Sequence, residues 1–140
     1  TDVVGVMTVV ENGAAATQDY RMFKIQGNKK ANKDRFINDT AALKEVLERR
    51  FGHPEWPYPK LIVVDGGTAQ FRAAQNSLKS IGLRIPVVAV TKNERHRPER
   101  IIGDARYVHA RASEILLANS EAHRFAIGFH RRRQRRSRLL

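Results

Sequence analysis

The 140-residue chain contains no cysteine, which excludes disulfide bonds and thiolate metal sites. It also lacks any apolar run near the roughly 20 residues that a membrane-spanning helix requires. Its first five residues do not have the pattern of a signal peptide. These absences together predict a soluble, cytoplasmic protein.

Acidic residues are scarce as well, because 14 Asp and Glu stand against 26 Lys and Arg. The net charge is therefore +12 and the pI is near 10.9. An excess of this size is typical of proteins that bind a polyanion, and nucleic acid is the leading candidate. An anionic membrane surface is the alternative, although no basic amphipathic anchor stands out. The apolar fraction of 41% and the length suit one globular domain.

The most informative segment is 60–67, where four branched apolar residues precede an aspartate and two glycines. Such an apolar run is typical of a parallel strand that is buried on both faces. Asp65 stands where the strand ends, and Gly66 and Gly67 allow the backbone to turn sharply. Ligands of open α/β sheets gather beyond the carboxyl ends of strands, so Asp65 is a candidate site residue. The alternative is that Asp65 only caps the following helix.

The rest of the chain predicts an antiparallel pair of strands followed by alternating helices and strands. Long strands are expected at 3–10, 19–25, 61–64 and 86–91, and short ones at 100–102 and 107–109. Helices are expected at 39–51, 68–81 and 112–129, and a basic loop at 26–34. The helical spacing assigns Ile81 and Leu116 to the core.

Four segments carry a more specific signal. They read DYRMFKI at 19–25, DTAALKEVLERRF at 39–51, LIVVDGG at 61–67 and EAHRFAI at 121–127. In this order they resemble the C-terminal endonuclease domain of UvrC, the incision subunit of bacterial nucleotide excision repair. The resemblance implies an α/β fold of ribonuclease H type, with a mixed sheet flanked by helices, over residues 1–130, followed by a basic tail at 131–140. It also implies that the first strand of that fold, with the family's first catalytic Asp, is missing.

The same resemblance implies a metal-dependent phosphodiesterase that cuts DNA on the 5′ side of a lesion. The family's active site includes the aspartate of the DGG motif and the histidine of EAHRFA, which correspond here to Asp65 and His123. Both are expected to hold a divalent cation, Mn²⁺ or Mg²⁺, because carboxylate oxygens suit these ions and Mn²⁺ also accepts imidazole. Asp39 matches a further Asp implicated in activity. Without the first Asp, the chain alone is expected to bind Mg²⁺ weakly.

Plainer explanations stay open for two of these residues. Asp39 can cap the helix at 39–51, because a carboxylate there accepts free amide N–H groups. His123 can be an ordinary helical residue with no ligand.

Basic residues are expected to contact DNA phosphates, which would give sequence-indifferent and salt-dependent binding. Six arginines between positions 131 and 138 exceed what stabilising a helix end requires. The expected contacts are Lys92, Arg95, Arg124, His130, Arg131, Arg132, Arg133, Arg135 and Arg136.

The partners that the resemblance implies are damaged duplex DNA and a UvrB–DNA complex. Two other functions stay open at this point. One is a non-catalytic DNA-binding module of the same fold. The other is a nucleotide-binding α/β domain that uses Gly66 and Gly67, although no phosphate-binding glycine motif supports it.

Overall fold

The computed structural model describes residues 4–26 and 39–139, and their side chains except those of residues 130 and 133–139. From residue 27 onward, the expected basic loop lies outside the described residues. The described elements are β1 (Val4–Met7), β2 (Val10–Glu11), β3 (Ala14–Ala15), β4 (Arg21–Lys24), α1 (Asp39–Phe51), β5 (Ile62–Asp65), α2 (Thr68–Ser80), β6 (Val87–Lys92), β7 (Pro98–Ile102) and α3 (Ala105–Leu139).

The N-terminal part is an antiparallel ribbon of β1 and β4, in which Gly5 lies opposite Phe23. Phe23 and Ile25 are buried, as their alternation with polar residues predicts. The α1 helix packs closely over the ribbon, since a side chain at Gly5 would collide with Val46. The pairing of β1 with β4 confirms the predicted antiparallel arrangement of the first two long strands.

The single strand expected at 3–10 is wrong in its second half. The chain leaves β1 at Met7 and then forms a small hairpin, in which Val10 pairs with Ala15. Asn12 and Gly13 occupy the turn with φ of 53° and 79°. Two consecutive positive φ values are what a two-residue type I′ turn requires, and Asn-Gly is its preferred sequence.

The central sheet has the strand order β5-β6-β7, with β5 and β6 parallel and β7 antiparallel to β6. Its two faces are covered by different helices. On one face Val64, Val87 and Ala89 pack with Leu47 of α1 and with Ala74 and Leu78 of α2. On the other face Val88 and Val90 pack with Ile115 of α3. This arrangement confirms the predicted α/β fold with helices flanking a mixed sheet.

Helices connect the ribbon to the central sheet. Both α1 and α3 contact β1, and α3 also contacts β5 and β6. Within the described residues, no strand pairing joins β1 to β5. The amides of Ile62 and Gly66 donate to Pro86 and Val90, at 2.9 Å and 3.1 Å. Since peptide groups alternate in direction along a strand, those of Val63 and Asp65 point away from β6. The described part of the sheet therefore has a free edge along β5.

Two predictions for the C-terminal third are wrong. Residues 107–109 alternate like a strand but are helical, because Asp104 caps α3 by accepting the Arg106 amide at 2.9 Å. The backbone departs from helical angles at Arg111 (φ −128°, ψ 18°), next to the expected helix start at 112. The helix also passes its expected end at 129, since no glycine or proline interrupts the arginine-rich segment.

Two residues assigned to the core are in fact partly exposed. Ile81 is 42% exposed because α2 ends at Ser80 and Ile81 already belongs to the turn. Leu116 is 38% exposed because Ile115, which precedes it, takes the buried position. Adjacent residues on a helix differ by about 100° in direction, so both cannot face the sheet.

Candidate functional site

Asp65 ends β5, and its side chain is 58% exposed at the carboxyl end of the central sheet. Gly66 has φ of 142°, which glycine readily adopts, and any side chain there would collide with Gln70. The Gln70 amide oxygen accepts the Gly67 N–H at 3.0 Å, and Gly67 is the N-cap of α2. Because that capping position belongs to Gly67, the Asp65 carboxylate is available to other partners.

Two side chains meet the Asp65 carboxylate, and both contact the same oxygen. Lys92 at the end of β6 places its Nζ 2.8 Å from Oδ1. Asn119 of α3 donates from Nδ2 to Oδ1 at 3.3 Å. No hydrogen bond within the described residues involves Oδ2. One oxygen of Asp65 is thus held from two sides and the other is left open.

Sequence reasoning did not identify Asn119, although it is only 4% exposed and directly contacts Asp65. The available signal was its spacing from His123, because residues four apart lie on the same side of a helix. The 54-residue separation between Asn119 and Asp65 gives no local cue to their contact.

His123 is exposed and lies one helical turn beyond Asn119. Four residues advance about 6 Å along a helix and about 40° around it, so His123 lies on the same side of α3 as Asn119. No hydrogen bond or ion pair joins His123 to Asp65 among the described residues. In the same part of the chain, no group of three or more His, Asp or Glu residues is placed to hold a metal ion.

Asp39 is the first residue of α1 and is exposed. The α1 and α2 helices each have 13 residues, pack against each other and end beside a pocket lined by Phe51, Ile81 and Leu83. They therefore begin at the same end of the fold, which is where β5 stops. This places Asp39 on the side of Asp65, and also in the first turn of a helix, where a carboxylate favourably meets the helix dipole.

The EAHRFAI segment also anchors α3 to the ribbon. The Tyr20 hydroxyl donates to Glu121 Oε1 at 2.8 Å, and Arg124 binds both Glu121 oxygens at 2.7 Å. The Phe125 ring packs on Tyr20 with centroids 5.3 Å apart. We call these four residues, Tyr20, Glu121, Arg124 and Phe125, the α3 anchor. Arg124, which was expected to contact DNA, is therefore already paired with a carboxylate.

Charges within the α3 anchor shift one another's ionisation. The donors of Arg124, and then the Tyr20 hydroxyl, lower the pKa of Glu121 to about 2. Burial, and then the hydrogen bond to Glu121, raises the pKa of Tyr20 to about 12. The Glu121 carboxylate likewise raises the pKa of Arg124. All three shifts favour the observed state, in which a neutral phenol and a guanidinium share one carboxylate.

The structure describes the other residues that are expected to contact DNA to different extents. Arg95 lies in the turn between β6 and β7, where Asn93 Oδ1 accepts the amides of Arg95 and Arg97 at 2.9 Å and 3.1 Å. This turn follows Lys92 directly, at the same end of the sheet as Asp65. Arg131 and Arg132 are exposed on α3. The side chains of His130, Arg133, Arg135 and Arg136 lie outside what the structure describes.

Comparison with known proteins gives a family for this arrangement. A sequence model described as the UvrC RNAse H endonuclease domain matches residues 1–127. The chain belongs to this family. Two UvrC sequence signals, VDGG and EAHRFAI, therefore lie on the two elements, β5 and α3, that bring Asp65 and Asn119 together.

Full-length UvrC relatives are much longer than this chain. UvrABC system protein C of Clostridium perfringens (strain SM101 / Type A) is 35% identical over 153 residues, covering 93% of this chain and 24% of the relative. The protein of the same name from Methanococcoides burtonii is 39% identical over 142 residues, covering 96% and 22%. That from Desulfitobacterium hafniense (strain Y51) is 36% identical over 149 residues, covering 100% and 24%. The chain thus spans about a quarter of the length of these curated relatives.

No helix in the described ranges, 4–26 and 39–139, has the length and apolar character needed to cross a membrane.

Proposed function

We propose that this UvrC-type chain is the part of a nucleotide excision repair endonuclease that cuts DNA on the 5′ side of a lesion. The observation that carries the proposal is the exposed Asp65 carboxylate, which stands at the end of β5 in the central sheet and beside the helix that bears His123. Damaged duplex DNA and a UvrB–DNA complex are the proposed partners, and the cytoplasm is the proposed location.

We propose Asp65 and His123 as ligands of a divalent cation, Mn²⁺ or Mg²⁺. A carboxylate and an imidazole fit Mn²⁺ in particular, because this ion accepts both oxygen and nitrogen donors. No group of three His, Asp or Glu residues that could hold a metal ion is found in the described residues, so water and phosphate oxygens would complete the coordination. The bound cation would supply an activated water and neutralise charge on the leaving oxygen.

A further carboxylate can reach the site through the free edge of β5. The peptide groups of Val63 and Asp65 point away from β6, and no strand pairs with them in the described residues. Unsatisfied peptide groups at a sheet edge favour pairing with another strand. We propose that a strand of the same protein pairs here and brings the family's first catalytic Asp beside Asp65.

We propose different roles for the side chains around Asp65. Asp65 and His123 would hold the cation, which would supply the activated water. We propose that Arg95, at the same end of the sheet, holds a DNA phosphate, and that the exposed Arg131 and Arg132 of α3 also do so. Lys92 balances the charge of Asp65 and can meet the phosphate when a cation replaces it. We propose that Asp39, the first residue of α1, also takes part in catalysis.

A non-catalytic DNA-binding module is the second candidate function. It is favoured by the described residues themselves, which contain no group of three acidic or histidine ligands. It is also consistent with the net charge of +12, since basic surfaces bind DNA without any chemistry.

Cleavage of a lesion-containing duplex in Mn²⁺ by the intact protein tests the proposed function. Asp65→Asn should reduce the cleavage rate at least about 100-fold, because it removes a charged metal ligand. Asp104→Asn is the matched control, since Asp104 is also exposed but pairs with Arg106 at 2.8 Å and lies beyond the opposite end of the sheet. Its cleavage rate should equal that of the unmodified protein.

Two outcomes would contradict the nuclease assignment. One is cleavage by Asp65→Asn at the rate of the unmodified protein. The other is steeply salt-dependent binding of DNA by all three proteins with cleavage by none, which would support the binding module instead.

A further inference from the structure

We propose that Asn119 is a positioning residue that fixes the Asp65 carboxylate, so that Oδ1 faces α3 and Oδ2 is presented to the cation. The inference rests on the proposed function, because it assumes that a divalent cation binds Asp65. It adds a residue that the UvrC resemblance did not identify, and it assigns different tasks to the two oxygens of one carboxylate.

The contacts of Asp65 are asymmetric. Asn119 Nδ2 and Lys92 Nζ both approach Oδ1, at 3.3 Å and 2.8 Å, and no described hydrogen bond involves Oδ2. The terminal torsion of an aspartate is broad and roughly two-fold, so its two oxygens exchange places easily when nothing holds them. A donor fixed on one side removes this equivalence. The carboxylate therefore reaches a cation already oriented.

Of the two donors, Asn119 is the one that can stay in place when a cation binds. The Lys92 ammonium carries a positive charge and would be repelled by a divalent cation on the same carboxylate. Its long stem also lets it move away. The Asn119 amide is neutral, so a hydrogen bond to Oδ1 is compatible with a cation on Oδ2.

The helix around Asn119 is held firmly by the fold. Thr8 Oγ1 donates to the carbonyl oxygen of Ala118 at 3.1 Å, and Ile115 one turn earlier is completely packed against the sheet. Asn119 itself is buried. A donor on a rigid, buried element can orient a ligand in a way that an exposed, flexible side chain cannot.

Binding of Mn²⁺ to the intact protein, measured as free Mn²⁺ by electron paramagnetic resonance, tests this role without any activity assay. Asn119→Leu keeps the side-chain size but removes the donor, and should weaken the Asp65-dependent binding about tenfold. Ser120→Ala is the matched control, because the neighbouring Ser120 hydroxyl donates to Leu117 of its own helix and to no other described residue. This control should bind Mn²⁺ like the unmodified protein, and the melting temperatures of all variants should agree.

Asn119→Ser provides a second test if Asn119→Leu folds poorly, since its short side chain cannot reach Asp65. Unchanged Mn²⁺ affinity in either folded variant would overturn the inference. Asp65→Asn separates this failure from failure of the proposed function. If Asp65→Asn leaves Mn²⁺ binding intact, the proposed metal site is wrong, whereas lost binding there with normal binding in Asn119→Leu refutes only the role of Asn119.

Discussion

The two flanks of α3 use similar residue types for opposite purposes. On one flank the α3 anchor joins Glu121 and Arg124 to Tyr20, and every charged group there has a close partner. On the other flank Asn119 holds a single oxygen of Asp65, and His123 stays exposed. The polar groups on the first flank satisfy one another's hydrogen bonds, which favours a structural role. On the second flank a carboxylate oxygen of Asp65 has no described hydrogen bond, which favours binding of a ligand.

The segment at 121–127, which carries much of the family resemblance, contains residues of both kinds. Glu121, Arg124 and Phe125 stabilise the contact between α3 and the ribbon. His123, in contrast, is exposed and has no part in the α3 anchor. Strongly shifted pKa values often mark active sites, yet here that of Glu121 arises from its pairing with Arg124 and Tyr20, and that of Tyr20 from burial and its hydrogen bond to Glu121. Most of this motif therefore has a structural role, and His123 is the member proposed to take part in the chemistry.

The largest effect is expected on the flank of Asp65. His123→Ala should reduce Mn²⁺-dependent cleavage about 100-fold, because it removes a proposed ligand. The melting temperature should stay unchanged, since the imidazole is exposed and makes no described hydrogen bond. Cleavage assays and thermal unfolding of the same preparation check both parts. A large fall in melting temperature with normal cleavage would assign His123 to the structural flank instead.

The opposite pattern is expected from the anchor. Phe125→Ala removes a half-buried ring that packs on Tyr20, and should lower the free energy of unfolding by about 2 kcal/mol. Cleavage should be retained at temperatures where the variant is folded. Denaturant unfolding and a cleavage assay at low temperature measure the two quantities. Loss of cleavage in fully folded Phe125→Ala would show that the two flanks are not independent.

Acid should weaken the anchor in a defined pH range. The pKa of Glu121 is about 2 in the folded protein and about 4.3 in the unfolded chain. The ionised carboxylate therefore stabilises the fold above about pH 4.3, and this stabilisation is lost as the pH falls towards 2. Glu121→Gln does not titrate. The stability advantage of the unmodified protein over this variant should therefore shrink through that range in melting experiments. A constant difference between pH 7 and pH 2.5 would refute the anchor's electrostatic role.

The smallest effect concerns DNA affinity at the Asp65 end of the sheet. Arg95→Gln should reduce the slope of log affinity against log salt concentration by about 0.9, the value for one lost phosphate contact. Arg84→Gln is the matched control, because exposed Arg84 precedes β6 at the opposite end. Fluorescence anisotropy at several salt concentrations gives the slopes. Equal slopes for the two variants would exclude Arg95 from the interface.

Local patterns predicted most of the fold correctly. The α1 helix matches its predicted bounds, and β5 ends at Asp65 as its apolar run indicates. Residues 107–109 were mispredicted because their alternation resembles a strand, whereas the Asp104 cap and the packing of Val108 beside Val88 and Val90 determine a helix. Periodicity does not reveal such caps and long-range contacts.

The candidate site was only partly predictable for the same reason. Asp65 was recognisable from its place after a buried strand, and His123 from the family resemblance. The spacing of Asn119 from His123 does not reveal its contact with Asp65, since that contact depends on how α3 crosses the end of β5. The pairing of Lys92 with Asp65 likewise follows from the parallel alignment of β5 and β6, which places their carboxyl ends together.

The most direct test of the account asks whether Asp65 and His123 bind the same cation. Pulsed electron paramagnetic resonance of Mn²⁺ bound to the intact protein, with its histidines labelled with ¹⁵N, reports imidazole nitrogen that is bonded to the metal. We expect a nitrogen coupling in the unmodified protein, its loss in His123→Asn, and loss of the bound Mn²⁺ in Asp65→Asn. A nitrogen coupling that persists in His123→Asn, or Mn²⁺ binding that is unchanged in Asp65→Asn, would contradict a shared site.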